Sequence, residues 1–265
     1  MSADSTKKTL IVAISLCLVC SVLVSSAAVA LNSIQEKNKR LDKIKNILVA
    51  GGLYEENTDV QEVYKEKVKG VLIELETGKV VPEDQYNEKL NVENFNISDM
   101  SDDSEYGASV EEGDGLPGIK SRPKYMPVYE VVDNGEVEKY IFPVFGKGLW
   151  STLYGFLALE SNLETVSAIT FYEHGETPGL GGEIDNPKWK ALWQGKKVYD
   201  DDHRVKIAVI KGKVDPSNPN KDFLIDGLSG ATLTTRGVDN LVRYWLGQNG
   251  YGVFIDNVRE GNHNE

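Results

Sequence analysis

The sequence predicts an α+β fold, a mainly antiparallel sheet with packed helices, preceded by one N-terminal transmembrane helix. Three observations predict it. An uncharged apolar run, "TLIVAISLCLVCSVLVSSAAVAL", extends from Thr9 to Leu31. From Met126 onward, runs rich in β-branched and aromatic residues follow one another, and the first two flank Asp133-Asn134-Gly135, a hairpin signal. Strand-like and helix-like segments then mix without βαβ repetition, which favours an antiparallel sheet. The 265 residues, 40% of them apolar, are enough for one sizeable core or two small ones.

Taken in order, Thr9 to Leu31 would span ~34 Å as a helix at ~1.5 Å per residue, more than the ~30 Å of a bilayer core. The run exceeds the ~7–15 apolar residues of a cleavable signal peptide, despite its signal-like small residues near the end. It reads as an uncleaved anchor at 9–31, with residues 1–8 as a cytoplasmic N-terminus. Both cysteines, Cys17 and Cys20, lie inside it. Their spacing matches a redox motif on paper; in a lipid-facing helix they read as two small apolar residues. The rest of the chain is cysteine-free, which excludes a disulfide framework. Lys7 and Lys8 precede the span, and Lys37, Lys39, Arg40, Lys43 and Lys45 follow it. A naive positive-inside count places the downstream chain in the cytoplasm, yet large domains cross largely regardless of charge.

Residues 32–97 read as a helical connector and the start of the soluble domain. Leu41, Ile44, Ile47 and Leu48 recur at helical spacing, and Gly51-Gly52 stop that helix. A second helix is expected over Asp59 to Lys69, with Val60, Val63, Tyr64 and Val68 as its apolar stripe, then a strand and turn at "GVLIELETG". Residues 98–115 read as an acidic surface loop without the ligand spacing of a known calcium motif. Residues 116–265 form the main domain. "STLYGFLALE", "TVSAITFYEH" and "VKIAVI" are expected as strands. Asn186-Pro187 opens a helix as N-cap and first-turn proline, with Trp189, Leu192 and Trp193 on one face. The last helix is expected from about Thr235 to Gly247, burying Val238, Leu241, Val242, Trp245 and Leu246.

Lys plus Arg is 29 and Asp plus Glu is 41, a formal charge of −12. There is no basic stripe and no zinc-type Cys/His spacing. A nucleic-acid role is disfavoured, because neutralising phosphates needs a basic face.

Between a predicted strand and the last helix stands "DGLSGATLTT", Asp226 to Thr235. It is too polar for a core strand and too rich in Gly and Thr for a good helix. At a helix N-terminus it presents free N–H groups and a positive dipole end, a setting suited to phosphate, and Gly227 and Gly230 allow close backbone approach. A bland reading is a turn in which Thr234 or Thr235 caps the helix. A second is a nucleophilic serine, since "GLSGA" is one residue from G-x-S-x-G. That reading needs a base, and His174, His203 and His263 have no supporting context.

A third reading follows a resemblance. The stretch resembles the flavinylation motif of proteins that carry FMN as a phosphoester of threonine. That motif is an acidic residue, a small one, an apolar one, Ser or Thr, Gly, Ala and the acceptor Thr, here Asp226, Gly227, Leu228, Ser229, Gly230, Ala231 and Thr232. "HGETPGLGGEI", His174 to Ile184, is similar to the second signature of the same flavin-binding domain. The anchor, "GKGLWSTLYGF" and "YWLGQNGYGVFIDNVR" resemble the C-subunit family of the sodium-translocating NADH:quinone oxidoreductases. The sister G-subunit family of Rnf complexes shares the flavin motif but is less similar in the loop and the C-terminal tail.

The resemblance implies one FMN per chain, esterified to Thr232 by a separate flavin transferase that Asp226 helps to engage. It implies a bacterial inner-membrane, single-pass subunit with its flavin domain on the periplasmic side, against the naive charge count. Electrons would be relayed between an iron–sulfur centre and a second flavin subunit, with sodium transport a property of the assembly. Glu176, Thr177, Gly179, Leu180 and Gly181 are expected beside the flavin. There the loop would present backbone N–H groups, Thr177 a donor and Leu180 a ring contact, and Gly181 would be bare so that the ring edge can approach. Trp150 and Tyr154 are ring neighbours or plain core, and His174 is a proton donor or a surface histidine. No NAD fingerprint, iron–sulfur cysteine cluster or quinone pocket is visible, so NADH oxidation by this subunit alone is not expected. An anchored scaffold or ligand-binding module without covalent flavin is the alternative from another class.

Overall fold

The computed structural model describes residues 6–111, 113 and 115–261. In chain order the elements are α1 (Thr6–Gly51), α2 (Val60–Lys67), β1 (Val68–Glu74), α3 (Ile97–Asp102), β2 (Gly107–Ser109), β3 (Ser121–Pro123), β4 (Tyr125–Asp133), β5 (Glu136–Lys147), β6 (Thr152–Glu160), β7 (Val166–Glu173), α4 (Pro187–Lys190), β8 (Ala208–Val209), β9 (Leu224–Ile225), α5 (Thr232–Leu246) and α6 (Gly252–Arg259). The chain divides into two compact units, Met1–Lys43 and Ile44–Glu265.

The described residues of the first unit belong to α1. Its apolar stretch has a mean hydropathy of 2.6 over 18 residues and is unburied; among the described residues α1 is the one helix long and apolar enough to cross a membrane. Ser21 donates its hydroxyl to the Cys17 carbonyl at 2.7 Å, so this polar side chain is satisfied within the helix. Cys17 and Cys20 are free and exposed.

The second unit is built on a five-stranded antiparallel sheet in the order β1-β4-β5-β6-β7. Asn134 (φ 51°) and Gly135 (φ 87°) close the β4–β5 hairpin with Asp133 opposite Glu136. Two successive residues with positive φ match the right-handed twist of the strands, the reason Asn-Gly marks such turns. Both faces of the sheet are covered. Ile47 and Ala50, from the end of α1, pack with Tyr129, Val131, Ile141 and Phe156 on one face. The larger core, on the other face, joins Phe142, Val144 and Leu157 to α5 and α6. Burial from both sides explains why β5 and β6 read as near-continuous apolar runs rather than alternating ones.

Helix α5 is set against the end of β5. A Cβ on Gly237 would come within 2.3 Å of the Lys147 carbonyl, so only glycine permits this approach. Val238, Leu241, Val242, Trp245 and Leu246 are buried as expected. Trp245 Nε1 donates to the Phe145 carbonyl and the Tyr251 hydroxyl to the Pro143 carbonyl, both at 2.7 Å.

Several elements differ from the sequence-based expectation. Helix α2 stops at Lys67, because Val68 already pairs with Val131 in the sheet. The acidic segment 98–115 contains regular structure. Asn96 accepts from the Ser98 and Asp99 N–H groups as N-cap of α3, Ile97 and Met100 are buried, and β2 pairs with β3; Glu112 and Asp114 lie outside the described residues. After Pro187 the helix lasts one turn and tightens to a 3₁₀ turn at Ala191–Trp193. The changed pitch buries Trp189 and Trp193 but leaves Leu192 exposed. Of "VKIAVI" only Ala208–Val209 is strand, paired parallel with β9. Helix α5 begins at Thr232, three residues earlier than expected, and α6 has no counterpart in the expectation.

Candidate functional site

The stretch from Asp226 to Ala231 is a turn between β9 and α5. The Leu228 N–H donates to Thr235 Oγ1 at 3.0 Å, and Ala231 N–H to the Leu228 carbonyl at 3.2 Å. Gly230 takes φ +74°, the left-handed region that suits glycine. Neither Thr234 nor Thr235 caps α5. The N-cap is Ala231, which has no side-chain acceptor to offer. Thr235 clamps the turn from within, and Thr234, fully buried, donates to Glu176 Oε2 at 2.5 Å. Thr232 is exposed at the first helical position. The first turn therefore keeps the N–H groups of Thr232, Leu233 and Thr234 without partners among the described residues. Open N–H groups at the positive end of a 15-residue helix favour an anion.

Asp226 works on the backbone. Its Oδ1 accepts the Val214 N–H at 2.8 Å, and its carbonyl accepts Trp189 Nε1 at 2.8 Å. Gly227 donates to the Gly212 carbonyl at 2.8 Å, and a Cβ there would lie 2.2 Å from the Ile210 carbonyl. The motif's first two residues thus hold the 210–214 chain against the turn. Ser229 is exposed, and Leu228 is half-buried against the main core.

The second signature meets the first through Glu176. This buried carboxylate accepts the N–H groups of Trp150 at 2.9 Å, Leu149 at 3.2 Å and Ser151 at 3.3 Å, in addition to the Thr234 hydroxyl. Burial works to raise its pKa, but the Thr234 hydroxyl and the three N–H groups outweigh that and hold it below the usual carboxylate value. Glu176 therefore ties the 148–151 turn to the start of α5. Leu180 is exposed and reaches the motif: a Cβ on Gly230 would lie 3.2 Å from its Cδ2. Thr177 turns the loop with its carbonyl, which accepts from Leu180 and Gly182. Gly179, exposed, takes φ +75°.

Gly181 faces inward. A Cβ there would meet Thr234 Oγ1 at 2.5 Å and Glu176 Oε2 at 2.7 Å. The bare position accommodates the Glu176–Thr234 pair, which corrects the expectation that its Cβ would enter the space of a ring edge. Gly181→Val should accordingly break that pair and destabilise the domain by ~2–3 kcal/mol, from overpacking and an unsatisfied hydroxyl. Urea unfolding of the variant checks this: unchanged stability would mean that the loop moves away freely.

Trp150 is 67% exposed while its backbone is pinned by Glu176. With Leu149, Leu180 and Leu233, also exposed, it belongs to the few large apolar side chains left uncovered outside α1. Tyr154 is half-buried and stacks on Phe145 at 5.9 Å, the plain-core arrangement. His174 has both ring nitrogens engaged: Nδ1 accepts the Glu176 N–H at 3.2 Å, and Nε2 donates to Asp185 at 2.8 Å. The ring is thus held from both sides. His263 lies outside the described residues.

Thr232 opens onto a small cleft of about 190 Å³, shared with Gly227, Thr235, Lys211 and Arg236. This falls below the ~300 Å³ at which small-molecule pockets begin, so the cleft has room for a small polar group rather than a whole ring system. Arg236 and Lys211 are absent from the sequence-based site. Neither left a local signal: Arg236 shares a helix face with Thr232 only because α5 starts three residues earlier than expected, and Lys211 arrives through the parallel β8–β9 pairing. No group of three His, Cys, Asp or Glu among the described residues is arranged for a metal.

Residues 148–247, the stretch holding all of these elements, match the FMN-binding domain family. Over 261 residues the chain is 42% identical to the C-subunit of the Na(+)-translocating NADH-quinone reductase of Pseudomonas aeruginosa, covering 97% of this chain and 98% of that one. Its Vibrio alginolyticus counterpart is 42% identical over 258 residues, 97% of each. The crystal structure of Shewanella oneidensis NqrC superposes with a TM-score of 0.74 at 30% identity, covering 84% of this chain and 99% of that one. With a matched domain, full-length relatives and a shared fold, the chain belongs to the NqrC family, the C-subunits of the Na(+)-translocating NADH-quinone reductases.

Proposed function

We propose that this chain is a membrane-anchored flavoprotein subunit of a Na(+)-translocating NADH-quinone reductase, carrying one FMN as a phosphoester of Thr232. The observation that carries this reading is the exposed Thr232 hydroxyl, seventh residue of a complete flavinylation motif, at the open first turn of α5. FMN supplies electron-transfer chemistry when bound; the protein holds and tunes it. Asp226 and Gly227 fix the turn. Leu228, Ser229, Gly230 and Ala231 form the stretch a flavin transferase recognises. Glu176 and Gly181 act at one remove, joining the loop to α5, while Thr177, Gly179, Leu180 and Trp150 form the surface on which the ring lies. The uncovered apolar faces of Leu180 and Trp150 support that role, because burying apolar area under a ring is favourable by ~25 cal/mol per Å².

The reading extends to the assembly. The subunit would exchange electrons with an iron–sulfur centre and a second flavin subunit of the complex and would not oxidise NADH alone. Residues 9–31 would span the bacterial inner membrane, with the flavin domain periplasmic. A periplasm-dependent reporter enzyme fused after Arg259 should be active; activity of a cytoplasm-dependent reporter alone would reverse the topology. The flavin itself is tested by expressing the chain with a flavin transferase. A fluorescent band should survive a denaturing gel, and peptide mapping should place the added mass on Thr232.

A further inference from the structure

Two cations beside Thr232 stand outside both signatures. We infer that Lys211 and Arg236 form a two-point cradle for the phosphate group esterified to Thr232. The inference rests on the proposed attachment site and assigns it a phosphate-binding half.

The two side chains reach the cleft by different routes. Arg236 lies four residues beyond Thr232 on α5, on the same face and ~6 Å along the axis. Lys211 is held by its neighbours' backbone. Ile210 N–H donates to the Ile225 carbonyl at 2.9 Å, Gly227 N–H to the Gly212 carbonyl at 2.8 Å, and Val214 N–H to Asp226 Oδ1 at 2.8 Å. The close passage of Ile210 over Gly227 fixes the height of the Lys211 backbone above the turn. Both side chains are exposed, and neither has a hydrogen-bond or ion-pair partner among the described residues.

The charge inventory fits an ester. Besides Lys211 and Arg236, the cleft is lined by Asp239, whose carboxylate accepts the Val209 N–H at 2.8 Å. The two cations outnumber this one acidic side chain, the sign of charge a phosphodiester's single negative charge calls for. The surrounding protein is strongly acidic, at −12 overall, so an anion can be held here only by local cations and N–H groups. Charge-assisted hydrogen bonds are roughly twice as strong as neutral ones, and the open first turn of α5 adds its dipole. The cleft suits a phosphate by size as well.

The test compares the full chain in detergent with and without flavin, the latter expressed without transferase. In the wild type, flavinylation should raise Tm, and the rise should shrink with added salt as screening grows. The double variant Lys211→Gln/Arg236→Gln should still carry flavin, unfold like wild type when unmodified, and lose both the rise and its salt dependence. The ³¹P resonance of the ester should move in that variant and stay in Lys211→Arg/Arg236→Lys. A flavinylated double variant with the wild-type rise, salt response and ³¹P position would overturn the cradle. Loss of attachment in the double variant alone would also overturn it, assigning the cations to the transfer step. Absence of flavin from wild-type Thr232 would instead remove the attachment reading on which the cradle stands.

Discussion

Thr232→Ala should eliminate covalent flavin while leaving the domain folded. Alanine has no oxygen to esterify, so the loss is complete rather than graded. The position tolerates the change: the Thr232 side chain is exposed at the first position of α5. Alanine is a better helix former than threonine there, and exposed substitutions of this kind stay within ~0.5 kcal/mol. Thr232→Ser should keep the attachment, because the hydroxyl remains. The structure also narrows where a misassigned flavin could be found. Thr234 and Thr235 are buried and engaged with Glu176 and the Leu228 N–H, so among the motif's hydroxyls only Ser229 shares the exposure of Thr232. In-gel fluorescence and intact mass of the four variants at 229, 232, 234 and 235 decide it. Flavin persisting in Thr232→Ala and vanishing in Ser229→Ala would move the acceptor.

Glu176→Ala should be the most destabilising single change at the site, by ~2–4 kcal/mol. It leaves the Thr234 hydroxyl and the N–H groups of Leu149, Trp150 and Ser151 without their acceptor, and each unsatisfied buried donor costs ~1–3 kcal/mol, less where water can reach it. A pH signature separates this clamp from generic packing. The Glu176 pKa in the folded protein lies below the ordinary carboxyl value of 4.5, so the unfolded chain takes up the proton first as pH falls. Its contribution is therefore fully present above about pH 4.5 and is lost as pH drops through the lower folded value. Glu176→Gln cannot titrate, and its unfolding free energy should fall less than that of wild type between pH 6 and pH 3. Parallel urea curves for both proteins across that range would remove Glu176 from the clamp.

Much of the domain could be read locally. The Asn134-Gly135 turn, the Asn186 cap before Pro187 and the buried spacing on α5 follow from neighbours in sequence, and they stand where expected. The start of α5 could not be read, since Gly230 and three threonines lower helix propensity, and the first turn is reinforced by side-chain bonds of Thr234 to Glu176 and of Thr235 to the Leu228 N–H that local pattern does not show. The helix that leads into 98–115 was hidden by the acid content around it, which masked Ile97 and Met100, three residues apart on one buried side. At the site, the motif from Asp226 to Thr232 was visible as a pattern, but the duty of its parts was not. Glu176 is bonded to residues 25 to 58 positions away, and Gly181 is bare for the sake of a threonine in another element. Periodicity carries no record of such contacts.

The way α5 is fastened has a consequence for how tightly a cofactor needs to be bound. Trp245 and Tyr251 are bonded to the carbonyls of Phe145 and Pro143, two positions apart on one central strand. The helix cannot slide or turn by a residue without breaking the Trp245 bond, and the Tyr251 bond pins the chain just beyond its last turn. A group esterified to Thr232 would inherit that fixed point, and the β-branched side chain adds little freedom of its own. The rest of the molecule would then meet the tethered group at an effective concentration of at least the mM order, whatever the concentration in solution. Affinity is no longer what keeps such a group in place. Non-covalent contacts at the surface, weak enough to be useless for capture, suffice to choose one orientation.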